Sequence, residues 1–447
     1  MLYRLLLAVP FLVGIAVLQG LTVEIDTFHG SDARIYQLPT ILQLSERLDL
    51  SDYPSAQTPL YHLVTVAWGE VVGFELWKLR LLNVAISYGM ALALLRLLRR
   101  ATQLSGLSAF ALTLAFVLSP YVFGASFTLL TDNLAILFAL IALERIHAYT
   151  REGSLAAFAV ACAAIGAAVL TRQSFLWLVP VAAFFLIAPA LGARRAGRGA
   201  LPGGAAHTAA GGAMLALALV PLAALVIEWN GLVPPSADPA SCGLCTDRPG
   251  VGPDELSLRT VAFTVALLGM YAALVLGPAQ WRRLRSPVTR AAGKVLAAVR
   301  LRPRVPVALL AGAAAVGVAL VLLEPLEYMP ARPGVQGDAG YLWRLSDELA
   351  TVLGSSLLFW LLVPLGAVAG ALLVRRAGWT SLPSVYLGAF LLGTLPVNLV
   401  YQKYFDPFML LAVALFARPP DFRRARDYAG VAVVCAGSVA YALSFVG

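Results

Sequence analysis

Charge is scarce in this 447-residue chain: Asp, Glu, Lys and Arg make up 13% of it, where a soluble domain carries roughly a quarter. That deficit argues against one large water-exposed globule. Cysteine is scarce too. Of the four, Cys162 and Cys435 lie in apolar runs and read as packing residues. Cys242 and Cys245 form a single CxxC with no second pair and no histidine nearby, so zinc is not expected there; a local disulfide and two free thiols both remain open. The chain has no Walker A motif and no Rossmann glycine fingerprint, which removes the usual means of holding ATP or a dinucleotide. No basic-aromatic pattern for nucleic acid is present, and no internal repeat or low-complexity tract interrupts the sequence.

What is abundant is apolar sequence: 60% of the residues are hydrophobic, gathered in runs of about 20, the length that crosses a bilayer as a helix. The runs are continuous and not alternating, so a β-barrel is excluded. The expected fold class is an all-α polytopic membrane protein of about 13 spans, at roughly 3–21, 77–98, 105–121, 131–148, 154–171, 173–192, 207–228, 258–280, 305–323, 349–373, 381–397, 405–417 and 427–446. The stretch 58–74 is too short to span comfortably and carries Glu70 midway. With Tyr61 and Trp68 it suits the headgroup zone, so it is expected to be an interfacial helix in the first outer loop.

With the N-terminus inside, 23 of the 33 basic residues fall on cytoplasmic segments and 20 of the 24 acidic residues fall outside. The Lys/Arg bias sets orientation, so the net charge of +9 is a topology signal. The first run has a basic start but no clear small-x-small cleavage site, and is expected to stay as an anchor. An integral protein of a bacterial plasma membrane is the expectation. The long acidic segments 22–76, 229–257 and 324–348 all face outward, which puts any chemistry on the extracytoplasmic side.

Several polar residues gather at that outer face. Asp32, in the acidic first loop, is placed to take a proton from an attacking hydroxyl; a solvated loop carboxylate is the plain alternative. Asp132 opens the fourth run, either as a helix-terminal carboxylate stabilised by the dipole or as a group that orients an acceptor. Arg172, in TRQSFLW (171–177), sits where two runs meet with almost no loop. A charge held there must be paired, face a cavity or reach the headgroups, and arginine grips phosphate bidentately. Lys403 and Tyr404, in the last outer polar island (398–407), suit the same phosphate or an interfacial anchor. Tyr36, His62, Gln173 and Asp338 are weaker candidates for acceptor contacts or support. No metal site is indicated.

These stretches resemble the GT-C superfamily of glycosyltransferases that use polyprenyl-phosphate-linked sugars: an acidic first loop, an aromatic-proline interfacial segment and an Asp at the outer end of the fourth span. TRQSFLW (171–177), TPLY (58–61) and the stretch from Pro120 to Asp132 look similar to the dolichyl-phosphate-glucose alpha-1,2-glucosyltransferase family; WNG (229–231) and the Lys-Tyr at 403–404 match more loosely. Where that family favours an Asp-Glu pair in the first loop, Asp32 is followed here by Ala33. The resemblance implies one transmembrane domain with a catalytic module over 1–192 and variable helices over 207–447. It implies transfer of a hexose, with glucose the expected one, from a polyprenyl-phosphate donor to an acceptor hydroxyl on a glycan or lipid-linked acceptor, with inversion. Asp32 would be the base, with Asp132 assisting and Arg172, Lys403 and Tyr404 holding the donor phosphate. No cofactor is implied firmly, although a divalent metal stays possible. A transporter or flippase of lipid-linked sugars would use the same cations without a base, and a non-catalytic scaffold would need none of these residues.

Overall fold

The computed structural model describes residues 1–22, 32–195, 204–236, 256–278, 304–326, 340–397 and 400–443. Asp338, Cys242 and Cys245 lie outside the described residues. The chain is an all-α membrane protein. Five of its described helices are long and apolar enough to cross a bilayer: Leu76–Ala101, Asp132–Glu152, Gly204–Trp229, Leu258–Leu276 and Leu357–Ala377. The pair Gly106–Leu118 and Pro120–Ser126, broken at Ser119, makes a sixth if counted as one span. Several of the other expected spans form shorter helices. Leu155–Thr171 and Leu382–Thr394 have 17 and 13 residues, about 26 and 20 Å at 1.5 Å per residue, below the ~30 Å of a hydrocarbon core. Helix length therefore does not establish a count of thirteen. Asp406–Phe416 departs furthest: its 11 residues are all buried, so it is an internal helix and not a lipid-facing span.

Local sequence explains the helix ends. Gly153 takes the left-handed conformation (φ 66°) that ends Asp132–Glu152, and Ser154 accepts from the Ala157 N–H at 3.3 Å to start the next helix, so the chain reverses in two residues. Ser105 and Ser356 cap Gly106–Leu118 and Leu357–Ala377 in the same way. The expected interfacial segment forms the 13-residue helix Leu60–Val72, with Glu70 exposed. Tyr61 faces the protein interior, however. It is fully buried and its hydroxyl donates to Asn83 Oδ1 at 3.0 Å. Trp68 is half-buried and donates to the Lys78 carbonyl at 2.9 Å.

The chain divides into two compact units, one of Met1–Ala101, Val122–Pro253 and Gly388–Gly393, the other of Thr102–Tyr121, Asp254–Leu387 and Thr394–Gly447. In the first, Ala33, Ile41, Tyr61, Leu79, Ile86, Leu129 and Leu134 form an apolar cluster. A second cluster joins Leu44, Tyr53 and Trp229, where the Tyr53 and Trp229 rings stack at 5.9 Å. In the second unit, Leu258–Tyr271 and Leu357–Ala377 meet backbone to backbone. A Cβ on Gly366 would collide with the Val265 carbonyl, and one on Gly269 would lie 2.5 Å from that of Leu362. Small residues permit this close packing where the solvent is lipid. A two-stranded antiparallel hairpin, Thr351–Val352 with Ser355–Ser356, precedes Leu357–Ala377.

Candidate active site

In the first unit, Asp132 is the first residue of Asp132–Glu152, and Arg172 follows Thr171 at the end of Leu155–Thr171 with extended backbone (φ −151°, ψ 117°). That extended residue turns the guanidinium out of the helix direction and onto Asp132: Arg172 Nη1 donates to Asp132 Oδ1 at 2.5 Å, with side-chain exposures of 12% and 24%. Arg172 Nη1 also reaches Thr131 Oγ1 at 3.5 Å. The positive end of the helix adds to the stabilisation of the carboxylate. Of the alternatives left open for Arg172, the structure shows a paired charge.

The loop 53–58 is tied to the elements that carry this pair. Thr131 Oγ1 donates to Gln57 Oε1, Gln173 Nε2 donates to the Ala56 carbonyl at 2.7 Å, and Thr58 Oγ1 donates to the Val169 carbonyl at 2.7 Å. Gln173 also reaches the Leu232 carbonyl at 3.4 Å, while Trp229 Nε1 donates to the Leu50 carbonyl and Ser236 to that of Tyr53, at 2.9 and 2.8 Å. Gln173 thus acts as a strut between backbones.

The approach to Asp132 is held from the other side by buried amides in the helices. Asn83 donates to the Thr128 carbonyl and, at 3.4 Å, to that of Leu130. Asn133 donates to Ser87 Oγ at 2.8 Å and to the Val122 carbonyl at 3.0 Å. These amides supply donors to buried backbone carbonyls near Asp132.

Asp32 is half-buried and opens the π-helical turn Ala33–Gln37. Ala33 packs in the same apolar cluster as Leu129 and Leu134, which flank Asp132, so both carboxylates border one cluster. Tyr36 is half-buried, and its carbonyl accepts from Thr40 Oγ1 at 2.7 Å. Gln37 ties the turn down: its Oε1 lies 2.7 Å from His62 Nε2, and His62 Nδ1 lies 2.5 Å from the Tyr53 hydroxyl. The amide oxygen accepts only, so Nε2 carries the proton and Nδ1 accepts from Tyr53. His62 is fully buried with both ring nitrogens used. It is therefore a support for the Asp32 turn.

Burial lowers the His62 pKa to about 3 from an ordinary value near 6.5. A depressed imidazole contributes stability that is complete above about pH 6.5 and is lost as the pH falls towards 3, by up to about 1.4 kcal/mol per pH unit. The melting temperature in detergent should thus fall more steeply between pH 6.5 and 4 for the wild type than for His62→Gln. Parallel profiles would show that the imidazole is not held neutral.

Lys403 and Tyr404 belong to the second unit and lie in the 3₁₀ turn Gln402–Tyr404. Both are half-buried, with Lys403 Nζ 5.1 Å from the Tyr404 ring centre, a cation–π distance. Sequence reasoning passed over the group beside them. Asp406 is fully buried and accepts from Tyr271, Tyr341, Gln402 and Ser119 at 2.7, 2.6, 3.0 and 2.9 Å. An ionisable residue in an apolar run is itself a signal, and by that signal Asp406 was discoverable, as Asn83 was by its polarity. Gln37, Tyr53 and Gln57 gave none, since their partners lie on other elements. Among the described residues, no group of three or more His, Cys, Asp or Glu side chains is arranged to hold a metal ion.

No protein-family model matches the chain, and no curated protein is similar enough to count as a relative. Among solved structures, the crystal structure of ArnT from Cupriavidus metallidurans in the apo state is similar at 17% identity and a TM-score of 0.41, over 89% of this chain and 77% of that one. ArnT bound to undecaprenyl phosphate is similar at 17% identity and a TM-score of 0.40, over 88% and 77%. A likeness of this size assigns the chain to no family.

Proposed function

We propose that the protein is a GT-C-type glycosyltransferase that moves a hexose, with glucose the first candidate, from a polyprenyl-phosphate-linked donor to an acceptor hydroxyl at the extracytoplasmic face. The observation that carries the reading is the Asp132–Arg172 pair, set where two apolar helices end and bound to the loop 53–58. A guanidinium oriented by a carboxylate where apolar helices end suits a lipid phosphate, because the planar fork matches its oxygens bidentately. The half-buried Asp32 and the motifs of the first 177 residues support the same reading.

In this mechanism the acceptor oxygen attacks the anomeric carbon from the face opposite the phosphate. The acceptor proton goes to Asp32, a new glycosidic C–O bond forms, and the bond to the phosphate oxygen breaks with its electron pair on the leaving lipid phosphate. The configuration inverts. Negative charge grows on the leaving oxygen, and a fixed cation aimed there lowers the barrier because its attraction is greatest in the transition state. Arg172 supplies that cation, with Asp132 holding its plane. Independently of that pair, Lys403 in the second unit is proposed to bind a lipid phosphate.

The test is a transfer assay with purified protein in detergent, a polyprenyl-phosphate-glucose labelled in the sugar, and a lipid extract as acceptor pool. The expected result is free polyprenyl phosphate together with label in a new product. Tight donor binding with no release against any pool would instead point to a transporter and end the transferase reading.

A further inference from the structure

From Val400 to Ala417, every described residue is buried except Lys403 and Tyr404. These two side chains emerge from an otherwise closed segment, and the frame that presents them is built on Asp406. Gln402 is a two-ended strut: its Nε2 donates to Asp406 Oδ1 at 3.0 Å, and its Oε1 accepts from the Leu342 N–H at 2.8 Å. Trp343 Nε1 donates to the Val400 carbonyl at 2.8 Å, fixing the start of the turn. The turn closes on itself through Tyr404 N–H to the Tyr401 carbonyl and Phe405 N–H to the Gln402 carbonyl, each at 3.0 Å. The Tyr271 and Tyr341 hydroxyls and Ser119 supply the other donors to Asp406, and the Tyr341 N–H reaches Tyr121 Oη at 3.2 Å.

The geometry points to Asp406 as the positioning residue of Lys403: four donors lock its carboxylate, the carboxylate locks Gln402, and Gln402 fixes the turn from which Lys403 projects. Four hydrogen-bond partners satisfy this buried carboxyl group, and the Tyr271 and Tyr341 hydroxyls also lie 2.7 Å from each other. Burying a polar group is costly unless it is hydrogen-bonded, and packing alone needs no such group at the start of an apolar helix. Gly340 completes the frame. Its φ of +143° suits glycine, and a Cβ there would collide with Gln402 Cβ and lie 2.5 Å from Gln402 Oε1.

This inference rests on the proposal that Lys403 binds a lipid phosphate, and needs nothing of the Arg172 pair. It is tested by a double-mutant cycle on the affinity of the purified full chain for a polyprenyl monophosphate in detergent. Lys403→Ala should weaken binding about tenfold, the order of one charge-assisted hydrogen bond. The pair Tyr271→Phe with Tyr341→Phe keeps ring volume and removes two of the four donors. It should weaken binding by a similar factor alone and add nothing once Lys403 is alanine. Equal losses in both backgrounds, or no loss in the native background, would overturn the positioning role while leaving Lys403 as a ligand. Unchanged binding in Lys403→Ala would remove the ligand role and this inference with it. If the paired variant does not fold, Ser119→Ala carries the same cycle.

Discussion

Asp32→Asn should abolish most turnover while the protein continues to bind its donor. The amide keeps the size and polarity of the carboxylate but cannot accept the acceptor's proton, and loss of a general base costs roughly 10²–10⁴ in rate. The measurement is label transfer under saturating donor, alongside donor affinity by direct binding. A fall in kcat with unchanged affinity is the signature of a group that acts in the transition state. Retained turnover in Asp32→Asn would remove the base from the mechanism. Because Gln37 anchors the Asp32 turn to His62 at 2.7 Å, a comparable loss confined to kcat is not expected from His62→Gln, which disturbs the support and not the base.

The second large effect is expected at the ion pair. Arg172→Ala should lower affinity for a polyprenyl phosphate by roughly 100-fold, on the order of 3 kcal/mol, the upper range of a hydrogen bond to a charged group. Arg172→Lys should recover only part of this, since an ammonium restores charge but not the fork. Asp132→Asn leaves an acceptor for the guanidinium and should give the smallest loss. Breaking a buried pair costs about 3–5 kcal/mol, and the 12% and 24% exposures of these side chains reduce that figure here. Stability and affinity should therefore separate. If Arg172→Ala lowers the melting temperature but leaves phosphate affinity intact, the pair is a helix clamp with no ligand role.

How far the sequence disclosed this arrangement differs by residue. Apolar runs announced the all-α membrane class, because hydropathy reads composition over a window and needs no tertiary information. The same averaging hid the interior. Asp406–Phe416 is as apolar as a span, and only burial separates a short internal helix from one that faces lipid. Asp132 and Arg172 were each visible as a charge at the edge of an apolar run, but their separation of 40 residues concealed that they are partners. His62 was legible as a candidate but not as a buried one, since its neutral chain from Tyr53 to Gln37 draws on three separate segments. Asn83 and Asn133, which hold the backbone before Asp132, were single polar letters in hydrophobic text.

The glycine contact between Leu258–Tyr271 and Leu357–Ala377 bears on how a lipid reaches the protein. An isoprenoid tail is several ångströms thick, and two backbones that leave no room for a methyl group at Gly269 and Gly366 cannot part to admit it without losing the packing that joins them. That seam is a closed wall. On the proposed function, a membrane-borne substrate must arrive across some other face, and widening the seam, as Gly366→Leu would, disrupts a load path without opening a door.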